Sequence, residues 1–183
     1  MITVLQRVRQ ASVHVEDGAH ATLVGAIDRG VLLLVGVERG DTDRDADATA
    51  AKIATLRIFP ALPPSPAAGL DPEAARPASG FDRDLREVGG RALVVSQFTL
   101  PGSVRRGRRP GFDGAARPEL AEPLYLRVAA QLEAHGIPTA TGQFGAAMAV
   151  SAINDGPFTL LIRARRGAIV EPLAALPGDE PAA

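Results

Sequence analysis

The sequence predicts a single α/β domain in which a mixed, largely antiparallel and barrel-like β-sheet packs with two main amphipathic helices. Three observations support this fold class. The chain has 183 residues, of which 46% are hydrophobic and 22% charged, so it can bury one substantial core. Several short runs either alternate apolar and polar residues or are apolar throughout, as β-strands do. Two longer stretches place apolar residues on one helical face, which predicts helices that pack on the sheet.

The elements follow in order from these patterns. The predicted strands cover residues 2–8, 11–16, 21–27, 30–37, 92–98, 139–153 and 158–164. The first helix is expected to begin after a cap at Asp41 or Thr42 and to run to about Leu56. The second is expected between Pro118 and Gly136, although Pro123 favours a later start.

The chain is expected to hold one domain. Residues 60–82 are rich in proline and alanine, which predicts an exposed insertion within a domain of residues 1–164. Residues 165–183 have no periodicity and are expected to form a flexible tail. The chain starts directly in a strand-like run, without the pattern of a signal peptide, and no apolar run approaches a membrane span. We therefore expect a cytoplasmic protein that does not enter a membrane.

The common catalytic side chains are absent or badly placed. There is no cysteine, which excludes thiolate catalysis, disulfides and cysteine metal sites. His14, His20 and His135 do not show the spacing of metal ligands, and Ser96 does not sit in a nucleophile elbow. We therefore expect neither a metal nor another cofactor, and a Ser-His-Asp triad is a poor candidate.

The basic residues are unevenly distributed. The net charge is −1, yet all but one of the 20 basic residues are arginine, and four of them fall within five positions. These four are Arg105, Arg106, Arg108 and Arg109. Clustered guanidinium groups recognise phosphates, but the same run is also compatible with a solvated loop.

Two short motifs remain as candidates for chemistry. Asn154–Pro157 lies between two β-favouring runs and predicts a hairpin turn whose rigid Gly156–Pro157 tip presents backbone carbonyls. Ser96–Thr99 ends a buried strand, where backbone N–H groups can stabilise a developing oxyanion. Thr99 is a possible nucleophile, but no neighbouring base is evident, and its hydroxyl can equally satisfy nearby backbone.

Together these motifs resemble the signature pair of the D-aminoacyl-tRNA deacylases: Ser96-Gln97-Phe98-Thr99-Leu100 and Asn154-Asp155-Gly156-Pro157-Phe158-Thr159. Other segments match that family in order and spacing over residues 1 to about 164. They are Gln6–Val8, Ala11–Val13, Gly30–Gly36, Arg57–Phe59, Gly107–Phe112 and Thr141–Met148. The resemblance implies a deacylase-type fold and a homodimeric hydrolase that cleaves the ester between a D-amino acid and tRNA. Glycine mischarged on tRNA is an expected second substrate.

The resemblance also implies roles for individual residues. Gly156 and Pro157, joined by a cis peptide, would enter the partner subunit's pocket, hold the substrate's α-amino group and leave no room for an L-side chain. Ser96, Gln97, Phe98 and Thr99 would form the catalytic site, with N–H groups near Phe98 and Thr99 as the oxyanion hole. Arg7, Met148 and Asn154 would support the site or contact the substrate, and Arg105, Arg106, Arg108 and Arg109 would contact tRNA phosphates. The ribose 2′-hydroxyl of the tRNA would assist catalysis, with Thr99 as nucleophile the alternative.

Two other functions stay open. A non-catalytic RNA-binding dimer module would use the arginine run, although only 4% of the chain is aromatic and RNA readers usually stack bases on aromatic rings. A generic esterase would act through Thr99 or Ser96, although it lacks an evident base. Hydrolysis of matched D- and L-aminoacyl-tRNA separates these alternatives from a chiral deacylase.

Overall fold

The computed structural model describes residues 1–18, 20–61, 81–105 and 107–170. Within them the elements are β1 (Ile2–Asp17), β2 (His20–Ile27), β3 (Gly30–Gly36), α1 (Asp43–Thr55), β4 (Arg91–Ser96), α2 (Pro118–Ala134), β5 (Thr139–Thr141), β6 (Met148–Arg165) and β7 (Ala168–Val170). Of the predicted insertion at 60–82, only residues 60, 61, 81 and 82 are described, and the remainder of that prediction lies outside the described residues.

All of these strands belong to one sheet. Its order is β5-β4-β3-β1-β6-β7, with β2 paired to β1 off this path. The β3–β4 and β4–β5 pairs are parallel because a helix returns the chain between the strands of each pair. The other pairs are antiparallel. The prediction of a mixed, largely antiparallel sheet with two helices is confirmed.

The sheet curls around β1. The first half of β1 pairs with β3, and its second half, from Ala11, pairs with β2. β2 in turn comes close to β5: a Cβ atom on Gly25 would lie 2.6 Å from the carbonyl oxygen of Thr141. No ladder joins β2 to β5 in the described chain, so the sheet is barrel-like in curvature but open.

The curl divides the core in two. One cluster lies where the helices cover the sheet and includes Leu5, Leu33, Ile53, Tyr125 and Val128. The other lies inside the curl and includes Val8, Val13, Ile27, Leu32 and Leu93. Neighbouring residues of a strand point to opposite faces, so a strand between two cores must be apolar throughout. This explains the continuous apolar run of β3.

The helix predictions hold with one correction. Thr42 is the N-cap of α1, and its backbone N–H donates to the Asp45 carboxylate at 2.8 Å. The later start of the second helix that Pro123 favours is wrong, because α2 begins at Pro118 and continues through Pro123. The apolar face of α2 is buried in the core, which outweighs one missing backbone hydrogen bond. No helix of the described ranges is long and apolar enough to cross a membrane.

The hairpin predicted at Asn154–Pro157 is wrong. β6 continues through the motif, and β1 pairs with it on both sides, Val8 opposite Asn154 and Gln6 opposite Thr159. Residues 155–158 therefore form a bulge opposite Arg7, and the chain keeps its direction. Turn-forming residues between two β-favouring runs indicate a break in the ladder, but both a reversal and a bulge use them.

Two strand boundaries also differ from prediction. The run expected at 139–153 is interrupted, because residues 142–147 turn between β5 and β6. The start of the flexible tail, expected at residue 165, is predicted too early. β6 reaches Arg165, and β7 then returns beside it, with Val170 opposite Arg163. A three-residue strand is too short to show a side-chain period. The rest of the predicted tail, residues 171–183, lies outside the described residues.

Candidate functional site

Asn154 closes the β6 bulge, residues 155–158, with its own side chain. Its Oδ1 accepts a hydrogen bond from the Phe158 N–H at 2.6 Å, and its Nδ2 donates to the Phe158 carbonyl at 3.3 Å. The same Nδ2 lies 3.3 Å from Oγ1 of Thr159. An amide carries a donor and an acceptor together, so one side chain replaces the ladder bonds that the bulge interrupts.

Arg7 holds the same bulge from β1. Its Nε donates to the carbonyl oxygen of Asp155 at 2.9 Å and lies 3.4 Å from the Asp155 carboxylate. Another guanidinium nitrogen donates to the carbonyl of Ile58, and the guanidinium carbon lies 5.0 Å from the centre of the Phe158 ring. Arg9 adds an exposed contact to the Asp155 carboxylate at 3.1 Å. The backbone of the bulge is therefore held at several points.

The Gly156–Pro157 dipeptide is the exposed part of the bulge. The peptide bond between the two residues is cis, and both residues are exposed. Gly156 has a φ of 148°, and a Cβ atom there would lie 2.9 Å from the Phe158 nitrogen and 3.4 Å from an Arg7 guanidinium nitrogen. Only glycine fits this conformation and this approach, so the dipeptide presents backbone to solvent with little side chain.

The turn that follows β4, residues 97–101, leaves two backbone donors without an acceptor among the described residues. The Gln97 N–H donates to the Val35 carbonyl at 2.8 Å, and the Leu100 N–H donates to the Gln97 carbonyl at 3.2 Å. Between them, the N–H groups of Phe98 and Thr99 donate to no acceptor in the described part of the chain. Two adjacent free donors at a strand end are a suitable site for an oxyanion.

The Thr99 hydroxyl lies beside an amide. The side-chain Nε2 of Gln97 donates to Oγ1 of Thr99. No carboxylate or imidazole of the described residues bonds to this hydroxyl. An amide nitrogen cannot take up a proton as a general base does, so the contact orients the hydroxyl without activating it.

A cavity of about 450 Å³ opens beside this turn. Four residues of the predicted site line it: Ser96, Gln97, Phe98 and Met148. Arg7, Thr99, Asn154 and the Gly156–Pro157 dipeptide do not line it. One chain therefore brings together the first motif and Met148, while the β6 bulge lies elsewhere on the same chain.

Aromatic side chains around this cavity carry no individual assignment from the sequence. Phe112 meets Phe98 edge-on with ring centres 5.3 Å apart, and Phe144, another lining residue, lies next to Tyr125. Burial raises the pKa of the Tyr125 hydroxyl, which remains a donor and bonds the Gly142 carbonyl at 3.1 Å. Phe112 and Phe144 lie in segments that match the family, and that match is the only sequence signal for them.

The segment between Ser103 and Gly111, which carries the arginine run and is called the arginine loop below, leads directly to a residue that lines the cavity. Backbone hydrogen bonds of 2.7 and 2.8 Å between Ser103 and Gly111 close it at its base, and Phe112 follows directly. Three of its predicted phosphate-binding residues are exposed: Arg105, Arg108 and Arg109. Arg106 lies outside the described residues. The loop therefore places positive charge next to a residue that lines the cavity.

A second cavity, of about 540 Å³, lies between β1, β2 and β6. Its lining includes Gln10, Ser12, Asp28, Arg91 and Ser151. None of the predicted site residues line it, so we place the candidate site at the smaller cavity.

The chain is similar to known proteins over most of its length. A family model described as D-Tyr-tRNA(Tyr) deacylase matches residues 4–163. A D-aminoacyl-tRNA deacylase of Chloroflexus aurantiacus is 51% identical over 88% of this chain and 89% of its own length. One of Halalkalibacterium halodurans is 46% identical over 90% of this chain and its own full length. The solved structure of the c-Myc DNA Unwinding Element Binding Protein aligns with a TM-score of 0.72 and 32% identity, covering 90% of this chain and 99% of that one. On the extent of these matches, this chain belongs to the D-Tyr-tRNA(Tyr) deacylase family.

Proposed function

We propose that this protein hydrolyses the ester bond of D-aminoacyl-tRNA and releases the free amino acid and tRNA. The observation that carries the proposal is the pair of N–H groups of Phe98 and Thr99, which have no acceptor among the described residues and lie at the end of β4 beside the cavity. Attack of water on an ester carbonyl creates a negatively charged oxygen, and fixed backbone donors stabilise it without reorganising. Hydrolysis of a mischarged tRNA is a proofreading step of translation, and we infer that the reaction takes place in the cytoplasm, where translation occurs.

The nucleophile is assigned to water, assisted by the tRNA. Thr99 is bonded to the Gln97 amide, and no base of the described chain contacts its hydroxyl. The ribose 2′-hydroxyl next to the ester is a group of the substrate that can pass a proton, so the substrate would supply what the site lacks. The chain then contributes orientation and charge stabilisation.

Chiral selection is assigned to the backbone of Gly156 and Pro157. Their exposed backbone would bind the α-amino group of a D-amino acid and clash with the side chain of an L-amino acid. Rejection by a clash requires no recognition of the amino-acid side chain, so many D-residues are accepted. Glycine has no side chain to clash, and glycine mischarged on tRNA is therefore a further substrate.

The dipeptide acts in the cavity of a second subunit. On one chain it does not line the cavity, so the site is incomplete without a partner. The segment of β6 that joins the two regions is exposed over residues 150–153, and it includes Val150 and Ile153, 39% and 49% exposed. Among the described strands, β7 pairs only with residues 163–165 and leaves this edge unpaired. An unpaired apolar strand edge is a preferred surface for a second copy.

Two-fold symmetry across this edge would join the regions. Met148, at the cavity, lies four residues before Ala152, and Gly156 lies four residues after it. A two-fold axis near Ala152 would place Met148 of each subunit opposite Gly156 of the other, because in a two-fold contact residue i meets residue j and residue j meets residue i. Each dipeptide would then face the cavity of the other subunit.

The arginine loop would bind the tRNA backbone. Arg105, Arg108 and Arg109 are exposed in the loop that precedes Phe112, a residue that lines the cavity, and Arg106 belongs to the same run. Phosphate contacts of this kind position an RNA without reading its sequence. The 3′ end of the tRNA would then enter the cavity, where Met148 would pack on the terminal adenine.

Single-turnover hydrolysis of matched D- and L-aminoacyl-tRNA tests the proposal. We expect rapid cleavage of the D-form and of glycyl-tRNA, and almost none of the L-form. Binding without turnover would instead support an RNA-binding dimer module. Cleavage of both enantiomers at similar rates would support a generic Thr/Ser esterase.

A further inference from the structure

A short antiparallel clamp lies behind the β6 bulge. Residues 58–59 face residues 82–83, with backbone hydrogen bonds of 2.9–3.1 Å between Phe59 and the facing chain. Phe59 is fully buried and anchors the clamp in the core. Residues 62–80 connect the two sides of this clamp along the sequence, so the clamp is the base of the proline-rich insertion.

Both sides of the clamp touch the groups that hold the bulge. On one side, the carbonyl of Ile58 accepts a hydrogen bond from the Arg7 guanidinium. On the other side, the Phe81 ring lies 5.6 Å from the Phe158 ring, tilted by 52°. The Phe158 ring therefore contacts the guanidinium of Arg7 and the ring of Phe81 together.

We propose that Phe81 is a positioning residue for the Gly156–Pro157 dipeptide, so that the base of the insertion takes part in chiral selection. Phe81 does not line the cavity, and its ring contact is with Phe158. It acts by holding the Phe158 ring against Arg7, which in turn bonds the Asp155 carbonyl one residue before Gly156. The role rests on the proposed function, because selection by backbone atoms requires that these atoms keep their position.

The exposure of Phe81 supports this assignment over a role in the core. Its side chain is 58% exposed. A large aromatic ring that remains half in water contributes little burial to the stability of the fold. Its tilted contact with the Phe158 ring still restricts the orientation of that ring. Removal of this ring should therefore loosen the bulge and leave the fold in place.

The test compares Phe81→Ala with Phe81→Tyr and with Leu126→Ala. Tyrosine keeps the ring contact, and Leu126 is an exposed apolar residue of α2 that serves as the matched control. We expect Phe81→Ala to lower the ratio of D- to L-aminoacyl-tRNA hydrolysis rates about two- to tenfold, the range that an aromatic pair represents. Phe81→Tyr should restore the ratio, and Leu126→Ala should leave it unchanged.

Hydrogen exchange provides a readout that does not depend on activity. The Phe158 N–H is bonded to Asn154 within the bulge, and we expect it to exchange faster in Phe81→Ala but not in Leu126→Ala. Unchanged exchange and an unchanged ratio in a folded Phe81→Ala protein would overturn the proposal. The proposal would also be overturned if hydrolysis of D-aminoacyl-tRNA and of glycyl-tRNA fell equally while the ratio of D- to L-aminoacyl-tRNA hydrolysis rates stayed unchanged. Failure of the wild-type protein to cleave any aminoacyl-tRNA would contradict the proposed function, while exchange would still decide the role of Phe81.

A deletion separates the base of the insertion from the rest of it. Replacement of residues 62–80 by a short Gly-Ser linker keeps the clamp and Phe81, and we expect chiral selectivity to remain. The same deletion combined with Phe81→Ala should reproduce the loss seen with Phe81→Ala alone. Loss of selectivity in the deletion that retains Phe81 would contradict the assignment to the clamp.

Discussion

The β6 bulge and the turn after β4 both present backbone atoms, but they are built in opposite ways. The bulge is held by Asn154 from within and by Arg7 from the neighbouring strand, so the positions of its atoms are strongly constrained. The turn instead leaves the N–H groups of Phe98 and Thr99 without acceptors in the described chain. A group that excludes a wrong substrate must not move, whereas a group that stabilises a transition state must be free to bond it.

The strongest test of this contrast is Gly156→Ala. The φ of 148° and the 2.9 Å approach to the Phe158 nitrogen leave no place for a Cβ atom, so the bulge must shift. We expect hydrolysis of D-aminoacyl-tRNA to fall about 100-fold, since a displacement near 1 Å at a reacting site has that effect. Gly18→Ala, at a φ of 59° with open space around it, is the control. It should show only local strain of about 1 kcal/mol in thermal unfolding and no loss of activity.

The next effect is expected from Arg7→Ala. This variant removes the hydrogen bonds to the Asp155 and Ile58 carbonyls, and charged hydrogen bonds contribute about 1.5–3 kcal/mol each. We expect the rate of D-aminoacyl-tRNA hydrolysis to fall about 10- to 100-fold. Arg9→Ala, which removes only the exposed contact to the Asp155 side chain, should change the rate less than about threefold, as is usual for a surface ion pair. Equal losses in the two variants would show that the backbone contacts of Arg7 are unimportant.

A smaller effect is expected from the arginine loop. Replacement of Arg105, Arg108 and Arg109 by Gln should raise KM for the tRNA substrate about tenfold at moderate salt, with little change in kcat. The salt dependence of binding should weaken by roughly one ion for each phosphate that the loop no longer binds. As a control, replacement of Arg44, Arg57 and Arg86 by Gln removes the same charge elsewhere on the protein. It should alter neither KM nor the salt dependence of binding. A matching change in this control would show that net charge, rather than the loop, attracts the tRNA.

Thr99→Ala should have a still smaller effect. The hydroxyl is bonded to the Gln97 amide and meets no base of the described chain, and alanine keeps the backbone N–H that we assign to the oxyanion hole. We expect single-turnover hydrolysis to stay within about tenfold of the wild-type rate, which corresponds to the removal of one oriented hydrogen bond. Complete loss of activity with an intact fold would restore Thr99 as the nucleophile.

The smallest predicted effect is on stability and not on hydrolysis, and it arises outside both the bulge and the turn. The side-chain hydrogen bond from Arg127, which links α2 to α1, lowers the pKa of Asp47. A lowered folded-state pKa means that the pair stabilises the fold above the ordinary carboxyl pKa and that this stabilisation disappears as the pH falls through the folded value. Both side chains are more than one third exposed, so Asp47→Asn should lower the free energy of unfolding at pH 7 by only about 0.5 kcal/mol. In urea unfolding this difference should shrink as the pH falls below the ordinary carboxyl pKa, and hydrolysis should not change at about pH 7.

Most of the fold could be predicted from local patterns. The apolar run of β3 and the one-sided apolar face of α2 follow from burial, which requires apolar side chains at regular intervals. β7 could not be predicted, because three residues are too few for a period. The continuity of β6 through Asn154–Pro157 could not be predicted either, since only the pairing of β1 with both sides of the motif distinguishes a bulge from a reversal.

The candidate site, like the fold, could be predicted only in part from the sequence. The sequence identified Ser96–Thr99 as polar residues at the end of a buried strand, and Gly156–Pro157 as a rigid dipeptide that leaves backbone exposed. It did not assign Phe112 or Phe144 to the cavity, since an isolated aromatic residue has no local signal of what it faces. Ile58 and Phe81 were missed for the same reason, because their contacts join segments far apart in the chain.

The sequence alone therefore determined the fold class, the family resemblance and the two motifs, since each depends on residues that are neighbours in the chain. Only the tertiary structure decided that the second motif is a bulge and that one chain keeps it out of the cavity. It also decided that the N–H groups of Phe98 and Thr99 are free within the described chain, while the backbone of Asp155 and Phe158, on either side of the Gly156–Pro157 dipeptide, is hydrogen-bonded. The physical reason is that hydrogen-bond partners and cavity walls come from strands brought together by folding, and a linear pattern does not specify which strands meet.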